Sequence, residues 1–207
     1  MEPDSLAEIN ARLDDEGFAV LRLRSAAAAA ELAERLGPVL DVTEVRLGTG
    51  RTYLSSADSI PAHTDHPAAR LILWYCQRAD SSGAGANLLV DTRSVIQALP
   101  AAIAEEMTDV ELRCPDVHTL VPAEIHPLYR LKAKQVYYAP WLCVKPRSQA
   151  LLAFEAEIRK AEHRRTILLR QGEALLIDNR RMLHQRDALP LNSARWLTRY
   201  WIGHCRP

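Results

Sequence analysis

QGEALLIDNRRMLHQRDALPLNSARWLTRYWI, residues 171–202, decides the fold. Ala174 to Ile177 is a short apolar run with strand character, and Asp178-Asn179 is a turn. Met182 to Gln185 then carries His184 on the next strand, and Trp196 to Ile202 is a third. Period-two alternation puts Arg195, Leu197, Arg199 and Trp201 on one face of the third strand, with Trp196, Thr198, Tyr200 and Ile202 on the other. Both faces are largely apolar, so two arginines share an interior. A buried guanidinium needs a carboxylate from the protein or from a ligand, because an uncompensated buried charge costs several kcal/mol.

Moving outward, short runs separated by turn residues predict strands at Leu71 to Cys76, Leu88 to Asp91, Val110 to Leu112, Gln135 to Tyr138 and Thr166 to Leu169. Gln171-Gly172 reads as a tight hairpin turn. Helical periodicity marks Thr92 to Leu99, continuing past Pro100, and Ser148 to about His163. At the front, Ser5 and Glu8 stand at capping-box spacing before Leu6, Ile9 and Leu13, and Gly17 ends that helix. Phe18 to Leu23 is a strand, and Ser25 caps an alanine-rich helix terminated by Gly37-Pro38. The pattern predicts one domain over residues 1–207, a helical lead-in over 1–45 and a jelly-roll core with helical insertions over 46–207. The expected class is mainly β with flanking helices.

Composition narrows the partner. Lys+Arg and Asp+Glu both total 26, so no net field favours nucleic acid or an anionic membrane, and a small-molecule substrate is expected. No apolar run approaches the roughly 20 residues that cross a bilayer, and MEPDSLAEIN does not resemble a signal peptide, so the expected location is cytoplasmic. Cys76, Cys114, Cys143 and Cys205 are scattered and read as reduced thiols. No sequence feature sets an oligomeric state.

In Pro61-Ala62-His63-Thr64-Asp65-His66, side chains two apart fall on one face of a strand, so His63 and Asp65 can converge on one ion. A His-x-Asp/Glu triplet arises by chance on the order of once in such a chain. His184 on a distant strand raises its weight by completing a two-histidine, one-carboxylate face that leaves coordination positions open. The plain alternatives are a loop histidine at 63 and a packed core histidine at 184. Arg51, Tyr53, Ser55 and Ser56 precede the motif and are candidates to line the mouth, while Trp74, Tyr75, Trp196 and Trp201 read as core aromatics.

HTDH at 63–66, GANLLVDTRSVIQALP at 85–100, QGEALLIDNRRMLHQRDAL at 171–189 and RWLTRYWI at 195–202 together resemble the taurine dioxygenase/TfdA-like family. The likeness includes its clavaminate synthase-like branch of iron(II)- and 2-oxoglutarate-dependent oxygenases. It implies a double-stranded β-helix of cupin-like type, Fe(II) held by His63, Asp65 and His184, and 2-oxoglutarate and O2 as co-substrates. It further implies that Arg195 binds the far carboxylate of 2-oxoglutarate and that Arg199 holds an anionic group of the substrate. Asn87 stands where relatives usually carry a threonine that also binds the co-substrate; its amide still donates a hydrogen bond. Asp65 argues against halogenation, since similar halogenases have Gly or Ala there. The implied default reaction is hydroxylation of an aliphatic C–H in a small anionic metabolite, an amino acid or a derivative, with desaturation, cyclisation and epimerisation open to the same chemistry. The competing readings are a metal-dependent hydrolase or isomerase on the same ligands, and a non-catalytic small-molecule binding module.

Overall fold

The computed structural model describes residues 5–48, 53–114, 124–142 and 148–204. Helix α1 (Leu6–Glu16) starts in the expected capping box, with Ser5 and Glu8 bonding each other's backbone N–H, and ends at Gly17 with φ 81°. Strand β1 (Phe18–Arg22) follows, then α2 (Ala26–Leu36), capped by Ser25. The chain continues through β2 (Val39–Arg46), β3 (Ile60–His63), β4 (Leu71–Arg78) and β5 (Asn87–Asp91). Next come α3 (Thr92–Ala98), α4 (Ala101–Glu106), β6 (Glu111–Cys114), β7 (Glu124–Pro127), β8 (Tyr129–Arg130) and β9 (Gln135–Val136). Helix α5 (Gln149–Glu157), β10 (Arg164–Ile167), β11 (Glu173–Asp178), β12 (Met182–Arg186) and β13 (Trp196–Ile202) complete the order.

Two antiparallel sheets face each other, one in the order β1-β11-β4-β13-β2 and one in the order β10-β5-β12-β3. Ile72, Trp74, Leu89, Leu175, Leu197 and Trp201 fill the space between them. A second apolar layer packs α1 and α2 on the outer face of the five-stranded sheet through Ile9, Leu32, Leu73 and Tyr200. A third sets Val90 and Leu183 of the four-stranded sheet against Phe154 of α5 and the β6–β9 region. This is the expected jelly roll, and β13 is buried on both faces as its alternation predicts. Among the described residues, no helix is long and apolar enough to cross a membrane.

Three features depart from the sequence reading. Val39–Arg46 is a strand that periodicity did not reveal; it pairs with β13 along its length at the sheet edge, where Asp41, Thr43 and Glu44 are tolerated. The helix expected to run through Pro100 breaks there, because Leu99 takes the extended conformation that a following proline imposes (φ −83°, ψ 145°). Gly172 does form a turn at φ 82°, yet β10 and β11 on either side of it belong to different sheets, so the turn is a corner between layers rather than a hairpin.

Candidate metal centre and co-substrate pocket

Strand β3 ends on His63, which lies directly across the ladder from His184 on β12. Beyond His63 the chain leaves the sheet, and a buried asparagine fixes its path. Asn179 Oδ1 accepts from the Asp65 backbone N–H at 2.8 Å, and its Nδ2 donates to the carbonyls of Asp65, His66 and Ala69 at 2.9–3.3 Å. Thr64 turns the other way, exchanging hydrogen bonds with the Tyr138 backbone. The Asp65 carboxylate is thereby presented between the two imidazoles.

His63 Nε2 lies 3.8 Å from Asp65 Oδ1, and His184 Nε2 lies 3.9 Å from Asp65 Oδ2. All three residues are buried and offer donor atoms within 4.8 Å of one another. Around one ion with metal–ligand distances of about 2.1 Å, adjacent ligand atoms lie roughly 3 Å apart, so the three side chains would draw in by about 1 Å to share a single cation. His63 Nδ1–H donates to the Pro61 carbonyl at 2.8 Å, the tautomer that turns the Nε2 lone pair toward Asp65. His184 Nε2 faces Asp65 without a hydrogen bond, and its Nδ1 is buried with no hydrogen-bond partner among the described residues.

Charges in the cluster favour metal over proton. Burial holds both imidazoles below the ordinary histidine range, His184 well below it, so both are neutral ligands at pH 7. Burial alone would raise the Asp65 carboxyl. Arg199, the two histidines and the Trp201 N–H outweigh it and keep the carboxyl below the usual range. Arg199 Nη1 donates to both Asp65 oxygens at 3.2 and 3.3 Å, and Trp201 Nε1 donates to Oδ2 at 2.9 Å.

A pocket opens beside these side chains, walled by Val45, Leu54, Ile60, Trp74 and Leu197. Arg195, Arg186 and Asn87 stand at its polar side. Arg195 is 6% exposed, and its guanidinium makes no hydrogen bond or ion pair with a described residue. Burial, followed by the charge of Arg186, pushes its pKa down to about 10, which still leaves a full cation at neutral pH. Gly85 makes room for it: at φ 75° it has no Cβ, and one placed there would meet Leu189 and come within 3.1 Å of Arg195 Cδ.

The remaining candidates fall as follows. Arg199 lines the pocket but is engaged with Asp65, Thr43 (3.3 Å) and Asp41 (3.6 Å), so it stands behind the Asp65 carboxylate as well as facing the cavity. Asn87 lines the pocket while its Nδ2 reaches the Ile167 carbonyl at only 3.5 Å. Ser55 sits in a 3-10 turn whose neighbouring Leu54, not Ser55, forms the wall. The Tyr53 side chain and Arg51 lie outside the described residues. Trp74 is buried as expected for a core aromatic, yet its ring lies edge-on to His184 at 4.8 Å. Trp141, 48% exposed, sits 5.0 Å from His63. Sequence reasoning missed Asn179, Arg186 and Trp141; only Arg186, at His184 plus two, left a trace in the strand pattern. A second cluster of Glu157, Glu162 and His163 is closed by its own bonds, with His163 held by Ser94 and Glu157, and Glu157 held by Lys160.

The chain matches the family model described as taurine catabolism dioxygenase TauD, TfdA family, over residues 1–119 and 122–201. No curated protein sequence matches it. Among solved structures it is similar to an asparagine oxygenase in complex with Fe(II), 2S,3S-3-hydroxyasparagine and succinate (TM-score 0.77, 17% identity, 95% of this chain and 78% of that one). It is also similar to AAD-2 in complex with Mn(II) and N-oxalylglycine, an analogue of 2-oxoglutarate (0.76, 14%, 100% and 91%). A third is a variant of the non-haem iron oxygenase OrfP in complex with (3S)-hydroxy-L-Arg (0.69, 17%, 94% and 77%). At these identities the structures establish the jelly-roll fold, and the family match carries the chemistry. The hydrolase and binding-module alternatives therefore fall away, and the chain belongs to the TauD/TfdA family of non-haem iron(II)- and 2-oxoglutarate-dependent oxygenases.

Proposed function

We propose that His63, Asp65 and His184 hold the catalytic Fe(II), that Arg195 with Asn87 anchors 2-oxoglutarate, and that the enzyme hydroxylates an aliphatic C–H of an amino acid or an amino-acid-derived carboxylate. The observation that carries this reading is the meeting, in one pocket, of three buried ligand atoms within 4.8 Å and a buried guanidinium that no carboxylate of a described residue contacts. When bound, iron and 2-oxoglutarate supply the oxidation of the substrate by O2, with succinate and CO2 as co-products.

The chain's own residues supply position and charge. Arg199 and Trp201 fix the Asp65 carboxylate so that one oxygen points at the metal without rotating away. Arg195 pairs with the far carboxylate of the co-substrate and so sets which end faces the metal. Trp74, Leu197 and Val45 exclude water from the reacting end. Arg199 Nη2, which donates to Thr43 Oγ1 at 3.3 Å and lies 3.6 Å from Asp41, is the donor that a substrate carboxylate takes. Hydroxylated asparagine and arginine bound in the similar structures support a small amino-acid substrate.

The test is to offer the iron-loaded protein 2-oxoglutarate, O2 and a panel of amino acids. Succinate should form in step with a product heavier by one oxygen, and His184→Ala should abolish both. Succinate formation that persists in His184→Ala would refute the ligand assignment.

A further inference from the structure

Arg186 lies two residues beyond His184 on β12, so strand alternation turns both side chains into the same pocket, which Arg195 also lines. Across the ladder it faces Asn87 on β5 and Ile60 on β3, two further wall residues. Its Nη1 donates to the Leu54 carbonyl and its Nη2 to the carbonyls of Ser56 and Asp58. Its Nε is buried with no hydrogen-bond partner among the described residues. No carboxylate of a described residue bonds either Arg186 or Arg195; Asp58 acts on Arg186 and Asp80 on Arg195 only at longer range, and Arg195 lies close enough to Arg186 to feel its charge. Neutral carbonyls satisfy donors without balancing charge, and Asp58 and Asp80 offset only part of it, so two cations line one end of the cavity with no contacting carboxylate among the described residues. A folded protein sustains that arrangement where an anion occupies the space between them.

We propose that Arg186 is a second anchor for the far carboxylate of the 2-oxo diacid, acting beside Arg195 through its charge and its Nε–H. This deepens the reading above and rests on it. The three carbonyl bonds hold the guanidinium in place before the co-substrate arrives, so little ordering is left for binding to impose. The paired cations make the pocket selective for a diacid over a 2-oxo monoacid to a degree that Arg195 alone would not reach.

Calorimetry on the anaerobic Fe(II)-loaded protein tests this with two titrants, 2-oxoglutarate and 2-oxopentanoate. The second keeps the chelating end and lacks the far carboxylate. In Arg186→Gln the Kd for 2-oxoglutarate should rise roughly tenfold or more, the size of a lost charge-assisted bond, and Arg186→Lys should recover part of it. The Kd for 2-oxopentanoate should stay within about twofold, which also reports an intact metal site in each variant. An equal rise for both acids, or no rise for 2-oxoglutarate, overturns the proposal. If Arg195→Gln selectively loses 2-oxoglutarate and Arg186→Gln does not, the second anchor alone is wrong. If the wild type fails to distinguish the two acids, the co-substrate reading falls with it.

Discussion

Asp65 accepts hydrogen bonds from Arg199 and Trp201 and is tied through its backbone to Asn179, so its geometry depends on residues more than 100 positions away. Removing the indole donor should leave the fold intact and loosen the carboxylate: Trp201→Phe is expected to weaken Fe(II) binding about 10- to 100-fold, read by metal titration. Asn179 is wholly buried with four hydrogen bonds, and Asn179→Ala should cost at least about 3 kcal/mol of stability in urea unfolding. Gly85→Ala should push Arg195 aside and raise the 2-oxoglutarate Kd about tenfold while leaving metal affinity unchanged. His63, Asp65, His184 and Arg195 were legible because metal and carboxylate chemistry restricts residue type and strand spacing restricts position. Asn179 was not, since an Asp-Asn turn looks the same whether its side chain meets solvent or clamps a loop 114 residues away.

At the level of elements, Arg181 is the main tie between layers. It pairs with Asp91, the cap of α3, and its Nη groups donate to the carbonyls of Leu13, Asp14 and Asp15 at the end of α1. Arg181→Ala removes the ion-pair partner of Asp91 and the side-chain donor to the Asp15 carbonyl, and chemical unfolding should show a loss of about 3 kcal/mol. The elements with strong local signals, α1, α2, β4, β11, β12 and β13, follow the sequence closely, because caps and apolar alternation act over a few residues. Strand β2 escaped because its identity comes from its partner β13: VLDVTEVR carries the polar residues of a sheet edge, and only pairing makes it a strand. The Pro100 break was readable in principle, as the residue before a proline resists helix, but helical periodicity on both sides masked it.

Across the whole molecule, burying two neutral histidines couples folding to pH. Burial lowers the folded-state pKa of His63 and of His184 below the unfolded value of about 6.5. Between those values the unfolded chain binds more protons than the folded one, so this contribution to stability is complete above about pH 6.5 and is lost as the pH falls toward the folded values. The metal-free protein should therefore melt at a lower temperature at pH 5.5 than at pH 7.5, with the slope reduced in His184→Ala. The convergence of His63, Asp65 and His184 on one ion is tested most directly by calorimetric titration of the metal-free wild type and His184→Ala with Mn(II) under matched conditions. One high-affinity site per chain in the wild type, lost or strongly weakened in the variant, is the expected result; unchanged stoichiometry and affinity in His184→Ala would contradict it.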